Sequence, residues 1–267
     1  MVAAEIHLVD RGTIRADTNF ALEGHITAST EEPAPELERG EAPVYNLLVD
    51  HPEGNILWDT GSHPDAGDGY WPPEIYAEFE HYDAAERDLE TALGEVGYGI
   101  DDIDYVIQSH LHLDHAGGLR HFDGTDTPVF VHRDELKHAY YSAKTDAGDA
   151  AYLATDFDHD LEWRTVHRDR ETHFEDLELI HLPGHTPGLM GMFIDLENDG
   201  PVLFAGDEFY VRANYEARRP LGGGLLWSKR EWFESLRLIE ELQRRRGASV
   251  FCGHAPRDFD ALRDGLS

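Results

Sequence analysis

A single cysteine, Cys252, stands in 267 residues. That excludes an intrachain disulfide and a zinc site built on several thiolates. Lysine is almost missing too: only Lys137, Lys144 and Lys229 occur, and the other 19 of the 22 basic residues are arginine. Long apolar runs are absent, and nothing approaches the ~18 uninterrupted apolar residues that a membrane-spanning helix needs. The opening stretch MVAAEIHLVD carries Glu5 and Asp10 and has no apolar core of signal-peptide length, so a cytoplasmic location without a membrane partner is expected.

Positive charge is the scarcest commodity. Against 22 basic residues there are 54 acidic ones, a formal net charge of -32. Phosphate binding wants a positive face, so nucleic acid is excluded as a partner. Such a surface repels itself in dilute buffer, and the repulsion largely vanishes near 1 M salt, where the Debye length is about 3 Å. The balance is like that of proteins from salt-loving organisms.

Apolar residues make up 40% of the chain, with five Trp, eleven Tyr and twelve Phe, enough for a substantial core. One domain spanning residues 1–267 is expected, since no repeat or long linker interrupts the chain. Extended, β-branched or aromatic runs lie at Val44–Val49, Asn55–Trp58, Ile103–Gln108, Val129–His132, Leu177–Leu182, Leu189–Leu196, Val202–Ala205 and Ala248–Cys252. Helical periodicity marks Ala84–Val96, Arg133–Lys144 and Ser228–Arg246, the last with Trp232, Leu236, Ile239 and Leu242 on one face and Gly247 as a stop. Ser29–Pro43, with three prolines and five glutamates, reads as a loop. The mix is α/β, two sheets with flanking helices in one domain; propensity alone leaves a doubly wound sheet open.

The stretch SHLHLDHAGG, Ser109–Gly118, places His110, His112, Asp114 and His115 directly after a strand-like run. Ligands collect at the carboxyl ends of strands in α/β folds. His110 and His112 point to one side of an extended segment, and a turn into a helix opening over Ala116–Leu119 swings Asp114 and His115 toward the same cavity. Gly117 and Gly118 leave room for close backbone packing. Imidazole and carboxylate donors without sulfur suit zinc, and also manganese, iron(II) or cobalt. Four ligands so crowded need partners. His185 in HLPGHTPG, Asp207 at the end of PVLFAGD and His254 after ASVFCG each close an apolar run, and bring the set to seven, enough for two divalent ions.

In that order and at those separations, the seven residues resemble the metallo-β-lactamase superfamily, from WDTG (Trp58–Gly61) to CGH (Cys252–His254). The resemblance implies a four-layer αβ/βα sandwich, two mixed β-sheets flanked by helices, with a dinuclear site along one edge. It implies that His110, His112 and His185 hold one ion, that Asp114, His115 and His254 hold the other, and that Asp207 and a hydroxide bridge them. Asp59 of WDTG would orient a ligand histidine from behind, although an Asp capping a turn reads equally well.

Within the superfamily the chain is most similar to N-acyl-homoserine lactonases. SHLHLDHAGG is very near their version of the motif, Tyr210 follows Asp207 by three residues as theirs does, and only 13 residues follow His254. The implied reaction is opening of a lactone ring by the bridging hydroxide. Tyr210 would hydrogen-bond the substrate carbonyl, and Asp114 would shuttle the proton. The implied partner is a small lactone or ester, with a homodimer as an open arrangement.

Other hydrolases of the superfamily fit the sequence less well. A hydroxyacylglutathione thioesterase would want a C-terminal helical extension, a β-lactamase often has cysteine at the Asp207 position, and a nuclease needs a basic surface. A flavodiiron reductase has glutamate where His112 stands. An arylsulfatase or general carboxylester hydrolase stays open, as does a non-catalytic metal-binding protein. For the substrate pocket, Phe20 and Leu22 are candidates, with Tyr70, Trp71, Ile75, Tyr76 and Phe79 from YWPPEIYAEFEHY; core packing is the competing account. Arg212, Arg218 and Arg219 could meet an acidic substrate, or be paired surface charges.

Overall fold

Twelve strands in chain order make two sheets in the computed structural model, which describes residues 1–145, 148–174 and 176–267. The first sheet holds β1 (Glu5–Asp17), β2 (Arg39–His51), β3 (Gly54–Trp58), β4 (Phe79–His81), β5 (Tyr105–Ile107), β6 (Pro128–His132) and β7 (Glu162–Val166). The second holds β8 (Arg170–His173), β9 (Leu177–His181), β10 (Met190–Leu196), β11 (Gly200–Phe204) and β12 (Ser249–Phe251). The strand orders are β4-β1-β2-β3-β5-β6-β7 and β12-β11-β10-β9-β8, and each sheet mixes parallel and antiparallel pairs.

The near-continuous apolar runs arise because both faces of each sheet are buried. Leu47 and Val49 of β2 and Ile56 and Trp58 of β3 meet Leu179, Met192, Ile194 and Phe204 between the sheets. The alternate residues Leu48 and Leu57 point outward onto Leu89, Leu93 and Ala139 of the helices covering the first sheet. On the far side, Trp232, Leu236, Ile239 and Leu242 of the helix Lys229–Arg246 pack against Leu203 and Val250. Ser228 caps that helix and Gly247, at φ 73°, ends it, as its sequence predicts. The structure therefore has the two-sheet sandwich with helices outside, and not the doubly wound sheet.

Some elements differ from expectation. The long strand β1 is unannounced in the sequence because Arg11 and Gly12 interrupt its alternation; they form a register shift between Asp10 and Thr13 in which Gly12 takes φ 97°. Of Ala84–Val96, only Leu89–Glu95 is helical. Asp88 caps its start by accepting from the Thr91 N–H, and the Arg87 carbonyl upstream accepts from the Arg11 guanidinium instead of continuing a helix. The tail of the proline-rich loop is strand, since β2 begins at Arg39 and Pro43 sits opposite Thr13.

Candidate metal centre

Strands β3, β5, β9, β11 and β12 all present their carboxyl ends along one edge of the sandwich. The residues that follow them are Asp59, the His110–His115 stretch, His185, Asp207 and His254. After β5 the chain stays extended through His112 (φ -67°, ψ 158°), whose carbonyl accepts from the N–H groups of His115 and Ala116. The helix therefore begins at Leu113 and not at Ala116, which sets Asp114 and His115 on its first turn. A Cβ on Gly117 would come within 2.2 Å of the His63 nitrogen, so only glycine lets this turn press against the Thr60–His63 segment.

The structure brings six histidine and aspartate positions of the motif scheme, and Asp207 with them, into two adjoining groups. One is His110, His112 and His185; the other is Asp114, His115, Asp207 and His254, and within each the donor atoms lie no more than 4.8 Å apart. In the first group His185 Nε2 lies 3.2 Å from His110 Nε2 and 3.0 Å from His112 Nδ1. Asp207 Oδ2 reaches both groups, at 3.7 Å from His185 Nε2 and 3.5 Å from His115 Nε2.

The partners behind the rings decide which nitrogens carry hydrogen. His185 Nδ1 donates to the Leu225 carbonyl at 2.7 Å and His254 Nδ1 to the Pro43 carbonyl at 2.8 Å. His115 Nδ1 donates to Asp59 Oδ2 at 3.0 Å. His110 Nδ1 donates to Ser109 Oγ, whose own hydrogen goes to Asp59 Oδ2. His112 Nε2 faces Asp149 Oδ2 at 3.5 Å. In the neutral rings each inward nitrogen is therefore a bare lone pair. Bare lone pairs facing one another at about 3 Å repel unless a cation lies among them, and among the described residues the buried His115 Nε2 and Asp207 Oδ1 have no hydrogen-bond partner. The donor set fits two divalent cations.

Electrostatics separate the rings. Burial and the neighbouring rings hold His110 well below its ordinary value, and burial with His112 holds His185 down at about 4, so these rings stay neutral as metal ligands must. Burial opposes charge on His115 too, yet Asp114, Asp207 and Asp59 together outweigh it and raise its affinity for a proton. Although burial works against it, His254 and His115 keep Asp207 ionised. The acidic half of the cluster attracts cations.

Asp59 receives three hydrogen bonds: from Ser109 N–H, from Ser109 Oγ and from His115 Nδ1. It does so from a left-handed backbone at φ 59°, uncommon for a residue other than glycine. Tyr210 is 5% exposed and lies over His254. It forms part of the wall of the cleft of about 660 Å³ onto which His112, Asp114, His185 and Asp207 open. Burial, with the charges of Asp114 and Asp207, keeps its phenol protonated and able to donate.

A second chamber of about 580 Å³ adjoins the first and shares Ile14, Phe79, Tyr210 and Leu225 with it. Phe20 and Leu22 line this chamber, and Ile75 lines the first. Trp71 and Tyr76 are on neither wall: Trp71 is completely buried in the core with Ile14 and Val44, and Tyr76 packs over Gly67. Their pocket assignment is corrected accordingly. Tyr70 is tied to Asp156. The arginines are occupied as well: Arg212 with Asp258, Glu216 and the Val250 carbonyl, Arg218 with Glu240, and Arg219 with the Glu23 carbonyl. Sequence reasoning missed Glu135, Ser109 and the carbonyls of Leu225 and Pro43. Only Ser109, beside the motif, carried any signal.

Comparison with known proteins agrees with this geometry. Residues 39–254 match the metallo-beta-lactamase superfamily. The N-acyl homoserine lactonase AiiB of Agrobacterium fabrum is 28% identical, over 97% of this chain and 96% of its own. An N-acyl homoserine lactonase from a Bacillus species is 32% identical, over 80% and 82% respectively. Among solved structures, an N-acyl homoserine lactone hydrolase with the product N-hexanoyl-L-homoserine bound at its catalytic metal center superimposes with a TM-score of 0.83, at 25% identity, covering 98% of this chain and 97% of that one. The sandwich, the two donor groups on its edge and the match across most of the sequence have one explanation: this chain belongs to the metallo-beta-lactamase superfamily.

Proposed function

We propose that this chain is a dinuclear metal hydrolase that opens the ring of N-acyl-homoserine lactones or a closely related lactone. The observation that carries the reading is that the two donor groups adjoin and open, through His112, Asp114, His185 and Asp207, beside Tyr210 onto one cleft that continues into an apolar chamber. His110, His112 and His185 would hold one ion and Asp114, His115 and His254 the other, with Asp207 between them. When bound, two such ions supply a nucleophilic water at neutral pH and polarise a carbonyl. Zinc suits this nitrogen and oxygen set best.

The chain's own groups do the rest. Tyr210 donates a hydrogen bond to the lactone carbonyl oxygen and stabilises the charge that develops there. Asp114, 13% exposed at its side chain and facing the cleft, takes the proton released when water adds to the carbonyl carbon. It returns that proton to the ring oxygen as the ester C–O bond breaks, which leaves the open hydroxy acid. Phe20, Leu22, Phe79 and Leu225 offer the acyl chain an apolar bed, on one side of which the Phe20 and Phe79 rings meet at 4.7 Å.

The same reading makes residues 1–267 one catalytic domain, working in a salt-rich cytoplasm and able to pair as a homodimer. No described helix is long and apolar enough to cross a membrane. The deciding experiment is a hydrolysis screen in molar salt with zinc or manganese. It compares acyl-homoserine lactones of several lengths with aryl esters, a glutathione thioester and a β-lactam. Lactones are expected to turn over fastest; an aryl ester or β-lactam cleaved while lactones stay intact overturns the assignment.

A further inference from the structure

Glu135 is completely buried, and no ion pair to it is found among the described residues. A carboxylate in that position is tolerable only if its lone pairs are met, and here they are met from three directions. Oε1 accepts from the Leu111 N–H at 2.9 Å and from the Tyr152 hydroxyl at 2.8 Å. Oε2 accepts from Thr186 Oγ1 at 2.6 Å and from the Gly188 N–H at 3.2 Å. Glu135 sits in the first turn of the helix Arg133–Lys144, the end where the helix dipole favours an anion.

What these donors belong to gives the carboxylate its meaning. Leu111 is the residue between His110 and His112. Thr186 follows His185 directly, and Gly188 closes the same turn; a Cβ on Gly188 would lie 2.1 Å from the Glu135 nitrogen, so the contact is built for close approach. The Tyr152 ring lies against His112, centroids 4.5 Å apart. One side chain thus ties together the segments that carry all three histidines of the first group. None of its four bonds goes to the segments bearing Asp207 or His254, and the His115 ring at the far end of the motif is held from behind by Asp59.

We propose that Glu135 is a positioning residue that sets the three-histidine subsite by clamping the His110–His112 segment to the His185 turn. The inference rests on the dinuclear reading above. Loss of the clamp lets the two segments drift apart, and a site whose ligands must converge to about 2 Å from one ion loses affinity first.

The test counts metal per chain during dialysis against a graded chelator, in two backgrounds. His254→Ala leaves an ion in the three-histidine subsite, and His185→Ala leaves one in the other. Adding Glu135→Gln, which turns an acceptor oxygen into a donor nitrogen, is expected to lower the chelator needed for half-loss about tenfold or more in the His254→Ala background. In the His185→Ala background it is expected to move by less than threefold. Equal shifts in both, or none in either, overturn the clamp, because a merely structural carboxylate would weaken the fold without choosing between subsites. Should the glutamine variants fail to fold, Thr186→Val removes one of the four donors with little change of shape; a smaller shift with the same selectivity is expected, and an unselective one overturns the proposal. Unaltered protein that binds fewer than two ions overturns the proposed function itself, whereas two ions with an indifferent Glu135→Gln overturns the clamp alone.

Discussion

The ring of Tyr210 stacks on that of His254 with centroids 4.1 Å apart and planes 26° apart. The backbone holds the pair, since the His254 N–H donates to the Tyr210 carbonyl at 2.9 Å. A phenol so fixed beside a candidate donor loses little entropy in pointing at an oxygen in the cleft. Tyr210→Phe keeps the stacking and removes only the hydroxyl. Turnover of a lactone should fall about 100-fold with the metal count per chain unchanged, and a fully active variant would contradict the assigned role.

Asp59 anchors His115 directly and His110 through Ser109. Asp59→Asn replaces one acceptor oxygen with a donor amide that faces other donors. Metal affinity should drop about 10- to 100-fold, read as metal retained per chain against a competing chelator. Retention equal to that of the unaltered protein would remove Asp59 from the metal-supporting machinery.

The acidic surface makes salt a variable. Glu31, Glu32, Glu36 and Glu38 lie exposed on one loop of a chain with net charge -32. Screening should raise the melting temperature between dilute buffer and about 2 M potassium chloride, by roughly 5 °C or more for ~2 kcal/mol of relieved repulsion. A melting temperature indifferent to salt would sink the halophilic reading.

Asp156 supplies a pH signature. Burial pushes its carboxyl up to about 7, with Asp114 adding to the rise against the hydrogen bond from Tyr70. An acid whose folded value exceeds its unfolded 3.8 binds more protons when folded, so its contribution is complete at low pH and is lost as pH climbs toward about 7. The slope in that window is at most about 1.4 kcal/mol per pH unit. Denaturant melts between pH 5 and 8 should show falling stability that flattens in Asp156→Asn; parallel curves for the two proteins would refute the assignment.

Leu22 lines the second chamber away from the metal ligands. Leu22→Trp fills that space, so KM for long-chain acyl lactones should rise roughly tenfold, equivalent to about two buried methylenes. Short-chain lactones should be unaffected. An equal effect on every chain length would place the acyl group elsewhere.

Where the sequence was legible, it was so for physical reasons. Strands β2, β3, β9, β10 and β11 announce themselves because both of their faces are buried, and the helix Lys229–Arg246 because its apolar residues recur at helical spacing. Strand β1 did not, since a buried arginine and a left-handed glycine break its pattern. Tyr70–Tyr82 looked uniformly aromatic, yet Phe79 and Ile75 reach the cleft while Trp71 fills the core.

The seven candidate donors are legible in the sequence alone, because metal chemistry demands particular side chains and each lies just beyond an apolar strand-like run. The tautomer of each ring and the places of Glu135, Leu225 and Pro43 behind the donors were decided by tertiary structure. A carbonyl oxygen has no residue type to betray it. A glutamate in a helix's first turn looks like any other until the fold brings Leu111, Tyr152, Thr186 and Gly188 to it.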